Sequence, residues 1–156
     1  MLKAIGLCIL LFTIFRCVRT MINSQSRKVN ILSEIISLFR STLGGVKNFM
    51  KPIGEEIARI SSPVLNKCGI REAILTRDVG YINKCDTLTD STRELLGEYI
   101  MSYGGIDYDA ELLRLEALIE GLNREYEVIR SDLCKKKKLY TTLGASLSFA
   151  LIIFVI

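Results

Sequence analysis

Cysteine is the residue type in this sequence with the widest range of chemistry, because a thiolate can bind a metal or attack an electrophile. The five cysteines are Cys8, Cys17, Cys68, Cys85 and Cys134. No two of them form a Cys-x-x-Cys pair and the sequence has no histidine, so the usual zinc ligand sets cannot be completed. Their odd number argues against a secreted disulfide framework. We therefore expect reduced thiols that face a cytoplasm and behave as small buried hydrophobic side chains.

The other residues that could do chemistry lack the partners that the chemistry needs. Without a histidine, no serine can form the Ser-His arrangement of a hydrolase. Glu55 and Glu56 are adjacent, so on a helix they point to different faces and cannot share acid and base work. Residues 104 to 107, Gly-Gly-Ile-Asp, lack the lysine and the preceding strand of a phosphate-binding loop and indicate a helix break. The sequence predicts no enzyme, no metal and no cofactor.

Both ends of the chain are apolar: residues 4 to 15 and residues 139 to 156 carry no charge. As a helix with a rise of about 1.5 Å per residue, the C-terminal stretch spans roughly 27 Å, close to the hydrocarbon thickness of a bilayer. The N-terminal stretch reaches full length only from about residue 2 to residue 22, with Arg16 and Arg19 snorkelling outward. A cleaved signal peptide is the alternative there, but no small-x-small site follows the apolar run.

These lengths predict three segments. Residues 1–22 form an N-terminal transmembrane anchor, residues 23–138 a cytoplasmic helical bundle domain, and residues 139–156 a C-terminal transmembrane helix. The orientation follows from basic residues, which stay on the cytoplasmic side of a membrane. They lie after the first apolar segment and directly before the second, where the run is Lys135, Lys136, Lys137 and Lys138. Both termini should therefore lie across the membrane.

The lysine run supplies much of the net charge of +4, which is mild and does not suggest nucleic acid. One interpretation of the lysine run is a topology signal, which keeps this part of the chain on the cytoplasmic side of the membrane. The alternative is an extra contact with anionic lipid or with an acidic partner.

Residues 107 to 134 predict one long helix. Apolar side chains alternate at spacings of four and three, which is a heptad seam. Asp107 is suited to be its N-cap, and the helix is expected to continue through the four lysines into the final apolar segment. The seam consists of Tyr108, Leu112, Leu115, Ile119, Leu122, Tyr126, Ile129 and Leu133.

The far side of this helix carries a second, smaller stripe: Leu113, Ala117, Gly121 and Val128. Two interpretations stay open. Either a helix of the same bundle lies over the stripe, or the stripe is a docking groove for a helix of another protein.

Shorter helices are predicted upstream. A helix from about residue 26 to residue 43 should end at Gly44 and Gly45. A second should begin at Pro52, with buried Ile53, Ile57 and Ile60, and Pro63 should stop or restart it.

Residues 64 to 83 are weakly helical because Gly69 and Gly80 interrupt them. Ser91 and Glu94 form a capping box for a helix that reaches Tyr103. Such helices pack stripe against stripe, so we expect an all-α fold, an antiparallel bundle of four to six helices flanked by N- and C-terminal transmembrane helices.

Four stretches, taken in order along the chain, resemble one protein family. The first is Met1 to Gly6, and the second is Pro52-Ile53 followed by Ile57, Ala58 and Ile60. The third is Leu112-x-x-Leu115-Glu116-Ala117-Leu118, and the fourth is Lys138-Leu139-Tyr140-Thr141-Thr142-Leu143-Gly144, leading into the final span. Together they resemble stage III sporulation protein AB over nearly the whole chain.

The resemblance implies a cytosolic bundle similar to that of the inner-membrane platform protein of type II secretion systems and type IV pili. It implies a non-catalytic adaptor, integral to the mother-cell membrane that faces the forespore. The implied partners are a secretion-type ATPase, stage III sporulation protein AA, and the channel proteins of the same operon. A homo-oligomer is left open.

Two other classes of protein fit the sequence less well. The first is a holin-like or other small homo-oligomeric pore protein, which also has two spans. Holins rarely keep a large capped bundle between their spans, and these spans lack the polar stripe of a pore. The second is a membrane-tethered enzyme, which the missing chemistry disfavours.

Overall fold

The computed structural model of this chain describes residues 2–49, 53–59, 62–102, 104 and 107–155. These residues form helices and no strand, so the predicted all-α class is confirmed for the described part of the chain. The helices are α1 (Leu2–Phe49), α2 (Ile53–Arg59), α3 (Pro63–Cys68), α4 (Ile70–Thr76), α5 (Gly80–Asn83), α6 (Asp90–Ser102) and α7 (Tyr108–Val155).

The chain divides into two compact units. One consists of Met1–Arg27 with Ile129–Ile156, and we call it the terminal pair. The other is Lys28–Val128, which we call the central domain. The first and last helices therefore each contribute to both units, whereas the sequence analysis divides the chain at residues 22 and 138.

The central domain has a core of mostly aliphatic side chains from six of its helices. Phe39 of α1 is fully buried and its ring contacts the ring of Tyr99 edge to face, with centroids 5.7 Å apart. This geometry is the favoured one for an aromatic pair and joins α1 to α6. The other large side chains that are fully buried are Ile35, Ile57, Ile70, Ile74, Ile82, Leu96, Ile100, Leu115 and Leu122.

Helix α1 does not end at Gly44 and Gly45, so that prediction is wrong. It continues to Phe49. A glycine inside a helix costs about 1 kcal/mol relative to alanine, but here the missing side chain allows a close approach. A Cβ atom on Gly45 would lie 2.8 Å from Oε2 of Glu56 in α2. The next residue, Val46, is buried in the core, and its burial offsets the low helix propensity.

The short helices between residues 63 and 83 follow the predicted glycine and proline positions only in part. Pro63 is the first residue of α3, and Gly69 separates α3 from α4 with a φ of +63°. Gly80 does not interrupt a helix, which corrects the prediction, because it is the first residue of α5. The break lies instead at Arg77, whose φ of 56° ends α4.

The predicted capping box of α6 is also wrong. The helix begins at Asp90, and Thr89 caps it, because its Oγ1 accepts a hydrogen bond from the Thr92 N–H at 3.2 Å. The Thr89 hydroxyl also lies 3.0 Å from Oε1 of Glu125 in α7. A threonine that serves two helices at once is favoured over Ser91, which is exposed. Pro52, Ile60 and Tyr103 lie outside the described residues.

Helix α7 continues through the four lysines to Val155, as predicted. Asp107 lies directly before it and accepts a hydrogen bond from the Tyr108 N–H at 3.0 Å. The Tyr108 hydroxyl donates to the carbonyl of Val46 at 2.7 Å, which connects the first turn of α7 to α1.

In the terminal pair, α1 and α7 approach each other at a glycine. A Cβ atom on Gly144 would lie 3.3 Å from Cγ2 of Val18. Several large apolar side chains of this unit are exposed, among them Ile9, Phe12, Phe15, Phe149 and Ile153. Within the described residues, we find no helix whose length and hydropathy would let it cross a bilayer.

Candidate functional site

The seam residues of α7 divide between the two units. In the central domain, Leu115, Ile119 and Leu122 are buried, and Leu112 and Tyr126 are half-buried. In the terminal pair, Ile129 and Leu133 are half-buried. Burial is therefore most complete over the two turns from Leu115 to Leu122.

The second stripe of α7 is partly covered and partly open. Gly121 is buried under α6, where a Cβ atom on it would lie 3.1 Å from Cδ2 of Leu95. Leu113 is 64% exposed and Val128 is 62% exposed, and Ala117 is exposed as well. The helix of the same bundle thus covers the stripe at Gly121, and the rest of the stripe faces outward within the central domain.

A groove of about 450 Å³ lies between α6 and α7 next to these open positions. Its apolar lining comes from Leu95, Leu118 and the small residues Ala117 and Gly121. The lack of a side chain at Gly121 permits the close approach of Leu95, and Ala117 lies exposed at the groove. We call it the α6–α7 groove.

Charged side chains flank the α6–α7 groove. Arg114 and Arg124 line it from α7, and Glu98 lines it from α6. Arg114 donates to the carbonyl of Ser102 at 3.0 Å, and Arg124 lies 3.8 Å from Glu120 with both side chains mostly exposed. Arg114 keeps further N–H donors beyond this hydrogen bond and Arg124 is only weakly paired, so both cations can meet an incoming acidic group. An apolar floor with cations at its border suits an amphipathic helix of a partner.

The lysine motif lies in the terminal pair. Lys136 forms an ion pair with Asp132 at 2.7 Å, one turn earlier, and this contact raises the pKa of Lys136. Lys135, Lys137 and Lys138 are exposed. Of the family-motif residues that follow, Tyr140 is half-buried, Leu143 is exposed and Gly144 faces Val18.

A pair of buried cysteines is the feature that the sequence analysis misses. Cys68 is the last residue of α3 and Cys85 follows α5, and their sulfur atoms lie 2.8 Å apart. The thiols are 2% and 7% exposed, and Oγ1 of Thr87 lies 3.0 Å from Sγ of Cys85. No spacing rule could have found this pair, because three short helices bring the two residues together. Cys17 and Cys134 are exposed, and the side chain of Cys8 lies outside the described part of the chain.

The two thiols of this pair differ in acidity. Burial and the neighbouring Cys85 sulfur raise the pKa of Cys68 to about 12. Burial acts in the same direction on Cys85, but hydrogen bonds from Cys68 and Thr87 and from the backbone of Thr87 and Leu88 outweigh it and lower the pKa of Cys85. Cys85 is therefore the more acidic thiol of the pair.

No group of three or more His, Cys, Asp or Glu side chains that could hold a metal occurs among the residues that the structure describes. Gly104, between α6 and α7, has a φ of +82° and its carbonyl accepts a hydrogen bond from Arg77 at 3.1 Å. It belongs to a helix break, as expected from the sequence.

Comparison with known proteins adds no relative to this description: no family model, no curated protein and no solved structure matches the chain.

Proposed function

We propose that this chain is a non-catalytic membrane platform in the mother-cell membrane that faces the forespore. In this role it couples a secretion-type ATPase on the cytosolic side to the channel proteins that cross the envelope. The proposal rests on the resemblance to stage III sporulation protein AB and on one structural observation, the α6–α7 groove.

The α6–α7 groove supports an adaptor role because it offers a place for a partner helix without offering chemistry. Its apolar floor would cover the apolar side of such a helix, and Arg114 and Arg124 would face its acids. Adjacent to it, Leu113 is exposed and adds apolar area.

The terminal pair supports the membrane part of the proposal. Phenylalanine and isoleucine side chains at Phe12, Phe15, Phe149 and Ile153 are exposed, and water is an unfavourable surrounding for them. We propose that lipid covers these exposed apolar side chains. The exposed lysines before residue 139 would then lie at the cytoplasmic surface.

Helix α7 carries both the groove residues and the lysines, so we expect its continuity to matter for function. Insertion of a short Gly-Ser segment between Cys134 and Lys135 breaks the helix there but keeps the lysine topology signal, because such linkers are flexible coil. We expect normal protein level and membrane location but a block in sporulation after engulfment, measured by spore counts and microscopy.

The matched control replaces all four lysines with arginine, which keeps charge and helix propensity and should sporulate nearly normally. If the insertion variant sporulates normally, the coupling proposal is wrong. If, in addition, a lysine-to-glutamine variant with retained topology fails, the lysines themselves are the contact.

A second experiment tests the orientation. Cys134 is exposed, so a membrane-impermeant maleimide can reach it without denaturation. In a Cys8→Ser/Cys17→Ser variant, we expect labelling of Cys134 only after the inner membrane is opened, because the basic residues favour a cytoplasmic central domain. Labelling in intact cells would reverse the topology. The buried Cys68 and Cys85 should react only in the denatured control.

A further inference from the structure

The cysteine pair of the central domain is held in place by the backbone around it. The N–H of Cys85 donates to the carbonyl of Ile82 at 3.0 Å, and the carbonyl of Cys85 accepts from the N–H of Leu88 at 3.3 Å and from Nη2 of Arg93 at 3.0 Å. Cys68 is fixed by α3 and by the left-handed Gly69 that follows it. The two sulfur atoms are therefore brought together before any reaction.

The space around the pair is also set by glycine. A Cβ atom on Gly69 would lie 3.0 Å from the carbonyl oxygen of Tyr81 in α5. Gly69 has a positive φ as well, so two constraints at once demand glycine there. This close approach brings the chain at Cys68 next to the segment that leads into Cys85.

We propose that Cys68 and Cys85 form a redox modification site, a dithiol that a peroxide closes to an intramolecular disulfide and that a low-molecular-weight thiol reopens. This assignment does not depend on the adaptor role, but it takes the cytoplasmic location of the central domain from the proposed function. Cytosolic disulfides are usually transient and catalytic or redox-sensing.

The chemistry balances with hydrogen peroxide as the oxidant. The Cys85 thiolate attacks one peroxide oxygen, so an S–O bond forms, the O–O bond breaks and hydroxide leaves. The Cys68 sulfur then attacks the Cys85 sulfenic acid: an S–S bond forms, the S–O bond breaks, and the Cys68 proton leaves with hydroxide as water. The hydroxide from the first step takes up the proton that Cys85 lost on becoming a thiolate. In sum, two thiols and one peroxide give one disulfide and two waters, and two small thiols reverse the closure by exchange.

The roles of the two cysteines follow from acidity and access. Cys85 has the lower pKa of the two, its sulfur lies next to the Thr87 hydroxyl, and the residue is more exposed than Cys68, at 7% against 2%. Cys68 keeps its proton and is almost fully buried, which suits a thiol that resolves the sulfenic acid rather than one that meets the oxidant first.

The test uses the full chain in detergent with Cys8, Cys17 and Cys134 replaced by serine. After peroxide treatment and alkylation, trypsin without reductant should release residues 68 to 71 linked to residues 85 to 93, because Lys67, Arg71, Lys84 and Arg93 are the cleavage sites. We expect this linked pair within one chain, with loss of both alkylatable thiols and their recovery after dithiothreitol. Separate peptides, whether alkylated or oxidised, would overturn the proposal, as would a link between two chains.

Single substitutions test the order of attack without requiring the disulfide. In Cys68→Ser, Cys85 should be trapped as a sulfenic acid by a dimedone reagent, whereas in Cys85→Ser the Cys68 thiol should stay unmodified at the same peroxide concentration. Thr87→Val keeps the side-chain size and removes the hydroxyl next to Cys85, so it should slow disulfide formation several-fold. Equal trapping at both cysteines, or an unchanged rate in Thr87→Val, would contradict the roles assigned here.

Discussion

Leu122→Asp is expected to unfold the central domain. Leu122 is 0% exposed in α7, so the aspartate would place an unpaired charge in the core or force α7 out of it. The cost is several kcal/mol, a large part of the roughly 5–15 kcal/mol that stabilises a whole domain. Amide hydrogen exchange of the full chain in detergent measures this directly, and peptides from residues 28 to 128 should lose their slow-exchanging amides.

The matched control lies two residues away on the outer side of the same helix. Glu120 is mostly exposed and its contact with Arg124 is long, so Glu120→Gln should change the free energy of unfolding by under about 0.5 kcal/mol. The exchange pattern of the central domain should then match that of the unmodified chain. Comparable loss of protection from exchange in the two variants would show that the assignment of the buried and exposed faces of α7 is wrong.

The helices that could be predicted from sequence are those with a long apolar repeat. The heptad spacing along α7 is local information, since it needs only the period of the helix and the order of apolar residues. The same spacing of four and three residues occurs at Leu32, Ile36 and Phe39, in the middle of α1. What the repeat could not indicate is where α1 ends, because Gly45 is tolerated there through its close approach to Glu56.

The elements that sequence patterns missed depend on contacts between distant residues. The sequence pattern favours Ser91 as the cap of α6. It cannot indicate Thr89, because the hydrogen bond from Thr89 to Glu125 in α7 is a tertiary contact. The second stripe of α7 left two interpretations open for the same reason, since Leu95 covers Gly121 but leaves Leu113 exposed.

The candidate sites also combine features that a local sequence pattern shows with features that depend on contacts between distant residues. The apolar and basic composition of the α6–α7 groove is visible in the sequence of α7, including Arg114 and Ala117, but the opposite wall at Leu95 and Glu98 is not. The cysteine pair is a stronger case. Residues that are 17 positions apart came together through the turn at Gly69 and the short helices that follow, and each of these turns had only a weak local signal.

The disulfide proposed for this pair has a thermodynamic consequence. It would close a loop over the 17 positions between Cys68 and Cys85, which contains α4 and α5. Closing a loop of about this length removes conformational entropy from the unfolded chain and stabilises a domain by about 3 kcal/mol. Helices as short as α4 and α5 are not stable by themselves, so their local stability is low. The disulfide should therefore stabilise this segment most.

Oxidation of the Cys8→Ser/Cys17→Ser/Cys134→Ser variant is therefore expected to raise the thermal midpoint of the central domain by at least roughly 12 °C, because each kcal/mol shifts the midpoint of a domain this size by about 4 °C or more and the disulfide supplies about 3 kcal/mol. Slower amide exchange in α4 and α5 should accompany the rise, and dithiothreitol should reverse both. Cys68→Ser in the same background should show no shift with peroxide. A lower midpoint on oxidation would mean that closing the disulfide distorts α3 or the segment before α6, and that the stable state of this pair is the dithiol.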